Sequence, residues 1–210
     1  MCKYVIVDLE MCRVPKGLKR EQFRLSREMI EIGAVLLDES YEIVDSFKSY
    51  VAPEYGELDS FIQKFTGITQ ANLKNAISAK EALDLFVNWL PEDAILVSWS
   101  DNDERQVRKE IELKNLEIPG IEKYLENWED CQITFSEKMD SPKIYNLQEA
   151  LNITGIDYNE NIHNALTDAQ NTALLFAKMQ KEEKLNLISY YIVDDNSLNN
   201  GLLKNFSYAG

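Results

Sequence analysis

The stretch Lys3-Tyr4-Val5-Ile6-Val7-Asp8-Leu9-Glu10 begins as a run of β-branched and apolar residues and ends on two carboxylates. Apolar residues on both faces are typical of a strand buried inside a sheet. The strand period of two places Ile6, Asp8 and Glu10 on one face. Two neighbouring carboxylates at the end of a buried strand repel each other, and they stay ionised together at low cost only when a cation lies between them. A strand end whose acids reach water explains these two residues equally well.

The residues after this strand predict two more strands, a short fourth strand and a series of helices. Segments 28–37 and 41–51 have strand patterns and are separated by a turn at Asp38-Glu39-Ser40, so the first three strands should form an antiparallel meander. Residues 95–99 indicate the fourth strand. Helical spacing covers residues 69–75, 79–90, 101–113, 121–126, 146–152 and 164–182. This order predicts an α/β domain with a mixed central sheet covered by helices.

Length and charge limit the classes of function. The 210 residues suit one full-sized domain, or one domain with a short appendage. The 36 acidic and 22 basic residues give a net charge of −14. A protein that coats nucleic acid carries the opposite sign, because its affinity comes from neutralising phosphates. An enzyme that holds a few nucleotides through metal ions remains compatible with this charge, since bound cations invert the local field.

Cysteine usage and hydropathy predict a cytoplasmic protein. Cys2, Cys12 and Cys131 are odd in number and show no CxxC spacing, which favours reduced thiols over a disulfide framework or a zinc site. The sequence contains no apolar stretch of the length that a transmembrane helix requires. The first residues begin a strand pattern without the charged region and cleavage site of a signal peptide, so we expect none.

The only histidine of the chain lies in His163-Asn164-Ala165-Leu166-Thr167-Asp168. A five-residue step advances about 500° around a helix, so His163 and Asp168 would point about 140° apart if both were helical. They converge only if His163 precedes the helix and Asp168 lies in its first turn. The apolar stripe that begins at Leu166 favours this arrangement. An acid in a first turn also suits the helix dipole, and a histidine here could equally be a surface or capping residue.

A third polar group, Trp99-Ser100-Asp101-Asn102-Asp103, lies between the fourth strand and a helix. Asp101 or Asp103 could be a plain N-cap or first-turn acid. Trp99 could be a core residue. These residues alone do not decide between a structural and a functional interpretation.

Together, the three groups resemble the pattern of the DEDDh exonuclease family. That pattern is Asp-x-Glu on the first strand, an Asp at the start of a mid-chain helix and His-x4-Asp opening a late helix. The similarity covers roughly residues 3–180 and includes the segments Ile30–Val35, Tyr50–Pro53, Thr66–Thr69, Asn146–Leu151 and Asp168–Ala173. It is closest to the branch that trims short RNA 3′ ends. This chain departs from that branch at Ser100, which replaces a Gly, and at Asn102, where an aromatic residue often lies.

The resemblance implies a ribonuclease H-like fold: a mixed central sheet, with an antiparallel three-strand meander plus parallel strands, flanked by helices. We expect an exonuclease domain over residues 1–182 and a C-terminal appendage of unknown role over residues 183–210. The expected activity is 3′–5′ exonuclease release of 5′-mononucleotides from single-stranded RNA or DNA 3′ ends, with RNA somewhat favoured. A catalytically silent nucleic-acid-binding module and a phosphodiesterase of very short oligonucleotides are the alternatives.

The resemblance also implies the catalytic residues, which are Asp8, Glu10, Asp103, His163 and Asp168. The four carboxylates would hold two divalent cations, Mg²⁺ or Mn²⁺, which prefer oxygen ligands. Two such ions can activate a water and stabilise the leaving 3′ oxygen. His163 would accept the proton of the water. Asp101 competes with Asp103 as the mid-chain ligand, and Asp103 is preferred because Val107 then matches the spacing of the family.

Five residues are predicted to bind substrate: Met11, Thr66, Gly67, Ile68 and Trp99. Gly67 would allow the close approach of a nucleotide to the backbone. The segment Thr66–Ile68 could equally be a plain loop that leads into a helix. The basic stretch Lys16–Arg27 could guide phosphates or form a solvated face.

Overall fold

Five strands form one mixed sheet in the computed structural model, which describes residues 3–15, 26–158 and 164–187. They are β1 (Lys3–Arg13), β2 (Arg27–Leu37), β3 (Ile43–Tyr50), β4 (Ala94–Ser98) and β5 (Trp128–Asp130). The order across the sheet is β3-β2-β1-β4-β5. The β1–β2 and β2–β3 pairs are antiparallel, whereas β4 runs parallel to β1 and β5 runs parallel to β4. The meander and the mixed sheet are confirmed, and β1 runs beyond its predicted end at Leu9.

Eight helices are seen in the described ranges. They are α1 (Ser60–Thr66), α2 (Gln70–Lys74), α3 (Ala79–Trp89), α4 (Asn102–Lys114), α5 (Glu122–Leu125), α6 (Cys131–Lys138), α7 (Leu147–Thr154) and α8 (Ala165–Lys181). Reciprocal capping boxes fix the starts of α3 at Ser78 and Glu81 and of α7 at Asn146 and Glu149. None of the helices described here is both long enough and apolar enough to cross a lipid bilayer.

The alternation of β1 divides the core into two main clusters. Val5, Val7 and Leu9 pack with residues of α3, α4 and α5, among them Phe86. Ile6 packs on the opposite face with residues of α6, α7 and α8. Asp8 and Glu10 follow Ile6 with the strand period of two, so they point towards the α8 side of the sheet. After α8, Leu185 and Leu187 still pack against this second cluster.

The sheet opens at the position of the two acids. Parallel pairing of β1 with β4 covers only Lys3–Ile6, whereas pairing with β2 continues to Arg13. Beyond Ile6 one edge of β1 therefore lacks a neighbouring strand, and its backbone N–H groups need other partners. The polar end of β1 lies at this opening.

Candidate active site

Three carboxylates from two distant parts of the chain meet at the open edge of β1. Asp8 and Glu10 lie on β1, and Asp168 lies in the first turn of α8. One oxygen of each lies within 4.8 Å of the others. Oxygen donors at this spacing fit a hard divalent cation. The structure thus brings together the first, second and last acids of the predicted set.

Asp103, the remaining acid, is held beside this cluster by the backbone of β1. It lies in the first turn of α4 and is buried. The amide of Leu9, which has no partner strand on that side, donates to Asp103 Oδ1 at 3.1 Å. Asp101 instead pairs with Arg105 at 2.5 Å, and 43% of its side chain is exposed. Of the two candidates, the structure therefore places Asp103 next to the cluster.

The pKa values of these acids are raised, because burial and like charges both disfavour ionisation. For Asp8, burial is the largest cause, followed by the charges of Asp103, Asp168, Glu10 and Glu31, and the pKa lies well above its usual range. Burial and the charges of Asp168, Glu31 and Asp103 raise the pKa of Glu10 to about 8. Burial raises the pKa of Asp103 to about 7, although the Leu9 amide opposes this shift. A cation would relieve the repulsion, which supports the fit of the donor set.

Two residues next to this cluster were not singled out in the sequence. Glu31 of β2 is fully buried and pairs with Glu10 across the strands. Gly33 pairs with Asp8 in the same register. The available signal was a charged residue inside an otherwise apolar strand, Ile30-Glu31-Ile32-Gly33-Ala34-Val35.

The predicted substrate loop Thr66–Ile68 links α1 to α2. The Thr66 hydroxyl donates to Ile62 O at 2.8 Å and accepts from Ile68 N at 3.1 Å. Ile68 is buried in a small cluster with Cys12 and Ile30. Gly67 is exposed and ends α1 in the left-handed conformation, with a φ of 72°. Thr66 and Ile68 therefore hold the loop in its conformation, and the backbone at Gly67 faces solvent.

Trp99 lies in the core, which is one of the two interpretations that the sequence left open. It is 9% exposed, and its ring lies 5.9 Å from that of Phe135. This burial favours a structural role for Trp99, and its contact with substrate stays a prediction. Met11 is half-buried and packs against the cluster that contains Val7 and Leu9.

Several predicted features lie outside the described residues. His163 is one of them, and α8 begins two residues later, at Ala165, behind the N-cap Asn164. Asp168 is in the first turn, as expected. The basic residues Lys16, Lys19, Arg20 and Arg24 and the segment 188–210 also lie outside the described ranges.

Comparison with known families and sequences gives consistent results. The family model described as Exonuclease (RNase_T) matches residues 5–176. ERI1 exoribonuclease 2 of Danio rerio is 32% identical over 202 residues, covering 85% of this chain and 35% of the relative. The Homo sapiens protein of the same name is 31% identical over 181 residues, covering 75% and 26%. The chain thus spans between about a quarter and about a third of the length of these relatives.

Solved structures show the same fold. The nuclease domain of 3′hExo, a DEDDh family member bound to rAMP, superposes with a TM-score of 0.73 at 25% identity, covering 89% of this chain and 96% of that domain. Cell-death related nuclease 4 has a TM-score of 0.70 at 20% identity, covering 86% of this chain and 65% of that one. The predicted ribonuclease H-like class is confirmed.

Proposed function

The chain belongs to the exonuclease family, and from this premise we propose that it is a metal-dependent 3′–5′ exonuclease of single-stranded nucleic acid that releases 5′-mononucleotides. The observation that carries the proposal is the convergence of Asp8, Glu10 and Asp168 within 4.8 Å. RNA is proposed as the preferred substrate, because the relatives are named exoribonucleases and the 3′hExo domain was solved with rAMP.

We propose that Asp8, Glu10, Asp103 and Asp168 hold two divalent cations, Mg²⁺ or Mn²⁺. The raised pKa values of Asp8, Glu10 and Asp103 support this assignment, because excess negative charge at a buried site favours a cation. When bound, such ions lower the pKa of water and stabilise charge on the phosphate and the leaving oxygen. Asp103 takes up its position through its hydrogen bond from Leu9 N.

His163 is proposed as the general base. It directly precedes the N-cap Asn164 of α8, and Asp168 lies in the first turn of that helix. A neutral imidazole nitrogen can accept the proton of the attacking water near neutral pH. The water oxygen forms a bond to phosphorus and the bond from phosphorus to the 3′ oxygen breaks. That oxygen takes up a proton from solvent and becomes the new 3′ hydroxyl of the shortened strand. The released product carries the phosphate at its 5′ position.

The terminal nucleotide is proposed to contact the exposed backbone at Gly67, with Thr66 and Ile68 holding the loop and Met11 at its edge. The catalytic domain is proposed to be residues 1–182, consistent with the end of α8 at Lys181, and residues 183–210 to be an appendage. Cys12 and Cys131 are free, buried thiols, which supports a reducing compartment such as the cytoplasm.

The test is degradation of single-stranded RNA and DNA of matched sequence, labelled at the 5′ end. We expect a ladder that shortens from the 3′ side, requires Mg²⁺ or Mn²⁺ and is lost with a chelator or with Asp8→Asn. Activity that survives exhaustive chelation would contradict the metal-dependent mechanism. Binding without cleavage would favour the silent module, and turnover restricted to dinucleotides would favour the short-oligonucleotide phosphodiesterase.

A further inference from the structure

Glu31 is a fully buried acid in the apolar strand β2. A buried charge is costly unless it is paired and hydrogen-bonded, so its partners indicate its role. Its Oε2 accepts from the amide of Ala165 at 3.0 Å. Its Oε1 lies 2.7 Å from Lys48 Nζ on β3. Glu31 therefore connects β2 and β3 to the first residue of α8.

The Ala165 contact provides an acceptor for a backbone N–H group that has no acceptor within the helix. The first N–H groups of a helix have no intrahelical acceptor. The side chain of Asn164 accepts from Thr167 N at 3.0 Å, and Glu31 accepts from Ala165 N. An anion at a helix N-terminus is also favoured by the helix dipole. The start of α8 is thus fixed from outside the helix at Ala165.

Gly33 lets the same helix start rest directly on the sheet. A Cβ at Gly33 would lie 2.2 Å from the carbonyl carbon of Ala165 and 2.2 Å from the nitrogen of Leu166. Only glycine therefore permits this approach of backbone to backbone. Glu31 pairs with Glu10 and Gly33 pairs with Asp8. The helix start thus lies on the two β2 residues that oppose the two acids of β1.

We propose that Glu31 and Gly33 form a helix seat that fixes α8 so that Asp168 meets Asp8 and Glu10, which makes Glu31 a positioning residue for the divalent cation. This inference rests on the proposed function. Asp168 lies three residues after Ala165 on the same helical turn, so a displacement of Ala165 moves the Asp168 carboxylate with it. Residues that orient metal ligands through hydrogen bonds typically change metal affinity or activity by about 10- to 100-fold when removed.

The test compares four variants by Mn²⁺ titration calorimetry, thermal unfolding and amide hydrogen exchange. Glu31→Ala removes the acceptor, Glu31→Gln keeps an oxygen for the Ala165 amide without the charge, and Gly33→Ala obstructs the helix start. Met179→Ala is the matched control, because Met179 is buried near the other end of α8. We expect Mn²⁺ to bind about 10- to 100-fold more weakly in Glu31→Ala and Gly33→Ala. Glu31→Gln should stay closer to the wild type, and Met179→Ala should lose stability only.

Three results would overturn the helix seat. The first is wild-type Mn²⁺ affinity in Glu31→Ala together with a lowered melting temperature. The second is equal weakening in Glu31→Gln and Glu31→Ala, which would mean that the charge alone acts. The third is an Ala165 amide that exchanges no faster in Glu31→Ala than in Met179→Ala. This third measurement needs neither metal nor activity, so it tests the helix seat even if the wild-type protein binds no Mn²⁺ and the proposed function fails. If Gly33→Ala does not fold, the two Glu31 variants decide.

Discussion

At the residue scale, the four acids at the open end of β1 are unfavourable without a cation. Asp8 has the most like charges around it, since Asp103, Asp168, Glu10 and Glu31 all raise its pKa. The repulsion between these acids is expected to destabilise the metal-free folded state, and the same excess of negative charge favours binding of a cation. Single neutral substitutions separate these two effects.

Asp8→Asn should abolish Mn²⁺ binding and activity and should stabilise the metal-free fold. The metal-free variant should unfold at a higher urea concentration near neutral pH, because the substitution removes a buried charge that the neighbouring carboxylates repel. Unfolding in the presence of a chelator and Mn²⁺ calorimetry measure the two effects. Asp84→Asn is the control, because Asp84 pairs with Lys80 on the surface of α3. Strong destabilisation of Asp8→Asn with unchanged metal affinity would make Asp8 a structural acid.

The stability of the metal-free protein should fall as pH rises from about 5 to 8. The pKa of Glu10 is raised from 4.5 to about 8, so the folded state binds more protons than the unfolded state in this window. The stabilisation is complete below the unfolded value and is lost as pH rises through the folded value. The shifts of Asp8 and Asp103 act in the same direction.

Urea midpoints measured against pH with a chelator present test this dependence. Glu10→Gln should show a flatter curve than the wild type, because the titrating carboxyl is gone. Saturating Mg²⁺ should also flatten the curve, since the cation replaces the protons. A metal-free stability that stays constant or rises over this window would contradict the assigned pKa shifts.

His163→Ala should lower kcat by about 10²- to 10⁴-fold, the usual contribution of a general base. Metal affinity and substrate Kd should change little, because the imidazole is not one of the proposed ligands. The wild-type rate should rise with pH as the histidine becomes neutral. Because metal-bound water also ionises near neutral pH, the mutant profile is the control. Full activity in His163→Ala, or a loss caused only by lost metal, would make the assignment wrong.

At the element scale, apolar periodicity predicted most of the fold. The patterns of β1, α3 and α7 are local. Helices α3 and α7 begin and end close to where the patterns place them, whereas β1 continues to Arg13. Three elements were not predicted: α1, β5 and α6. The three-residue β5 is too short for a period to appear. Helix α1 has only seven residues, about two turns, so a helical period hardly recurs in it, and its two phenylalanines, Phe61 and Phe65, are exposed.

The contacts around the site were less predictable, because they join residues far apart in the sequence. Glu31 and Ala165 are separated by 134 positions, and Leu9 and Asp103 by 94. The motif order indicated which acids belong together, but it could not show that a buried glutamate supports α8. For a similar reason, the sequence could not decide whether Trp99 is a core residue. Its contact with Phe135 depends on the packing of α6, which was not predicted.

A buried ion-pair network should anchor α4 without taking part in metal binding. Lys114 Nζ lies 2.7 Å from Glu28 Oε1 and 2.8 Å from Glu110 Oε2, and all three side chains are buried. Glu28 also accepts from Tyr55 N at 2.7 Å. Lys114→Met should cost about 3–5 kcal/mol, because it leaves buried carboxylates without a counter-charge.

Chemical unfolding of Lys114→Met measures this cost, with Lys80→Met as the control. The exposed pair of Lys80 and Asp84 has a similar separation, 2.6 Å, but such pairs contribute only about 0–1 kcal/mol. Mn²⁺ affinity should stay at the wild-type value in both variants. A Lys114→Met variant as stable as Lys80→Met would show that water or proton uptake compensates the buried acids.

At the scale of the whole molecule, the net charge of −14 opposes binding to a polyanion. The proposed site would reconcile the negative charge with nucleic-acid binding, because cations held by its acids would present positive charge to one phosphate while the remaining surface repels others. Such a protein should bind the end of a nucleic-acid strand and should make few contacts with phosphates farther along it. Composition alone argued against a protein that coats nucleic acid, whereas the location of the site required the motifs.

Binding of single-stranded RNA should therefore depend only weakly on salt. With about two or three phosphates contacted, and about 0.7 counterions released for each, log Kd should change by about 1.4–2.1 per tenfold change in salt. Fluorescence anisotropy with His163→Ala and saturating Mg²⁺ measures this slope, because that variant should bind but cleave slowly. A paired Lys19→Ala and Arg20→Ala variant is the control and should leave the slope unchanged. A wild-type slope several times steeper, reduced in that control, would instead show that the basic stretch Lys16–Arg27 contacts many phosphates.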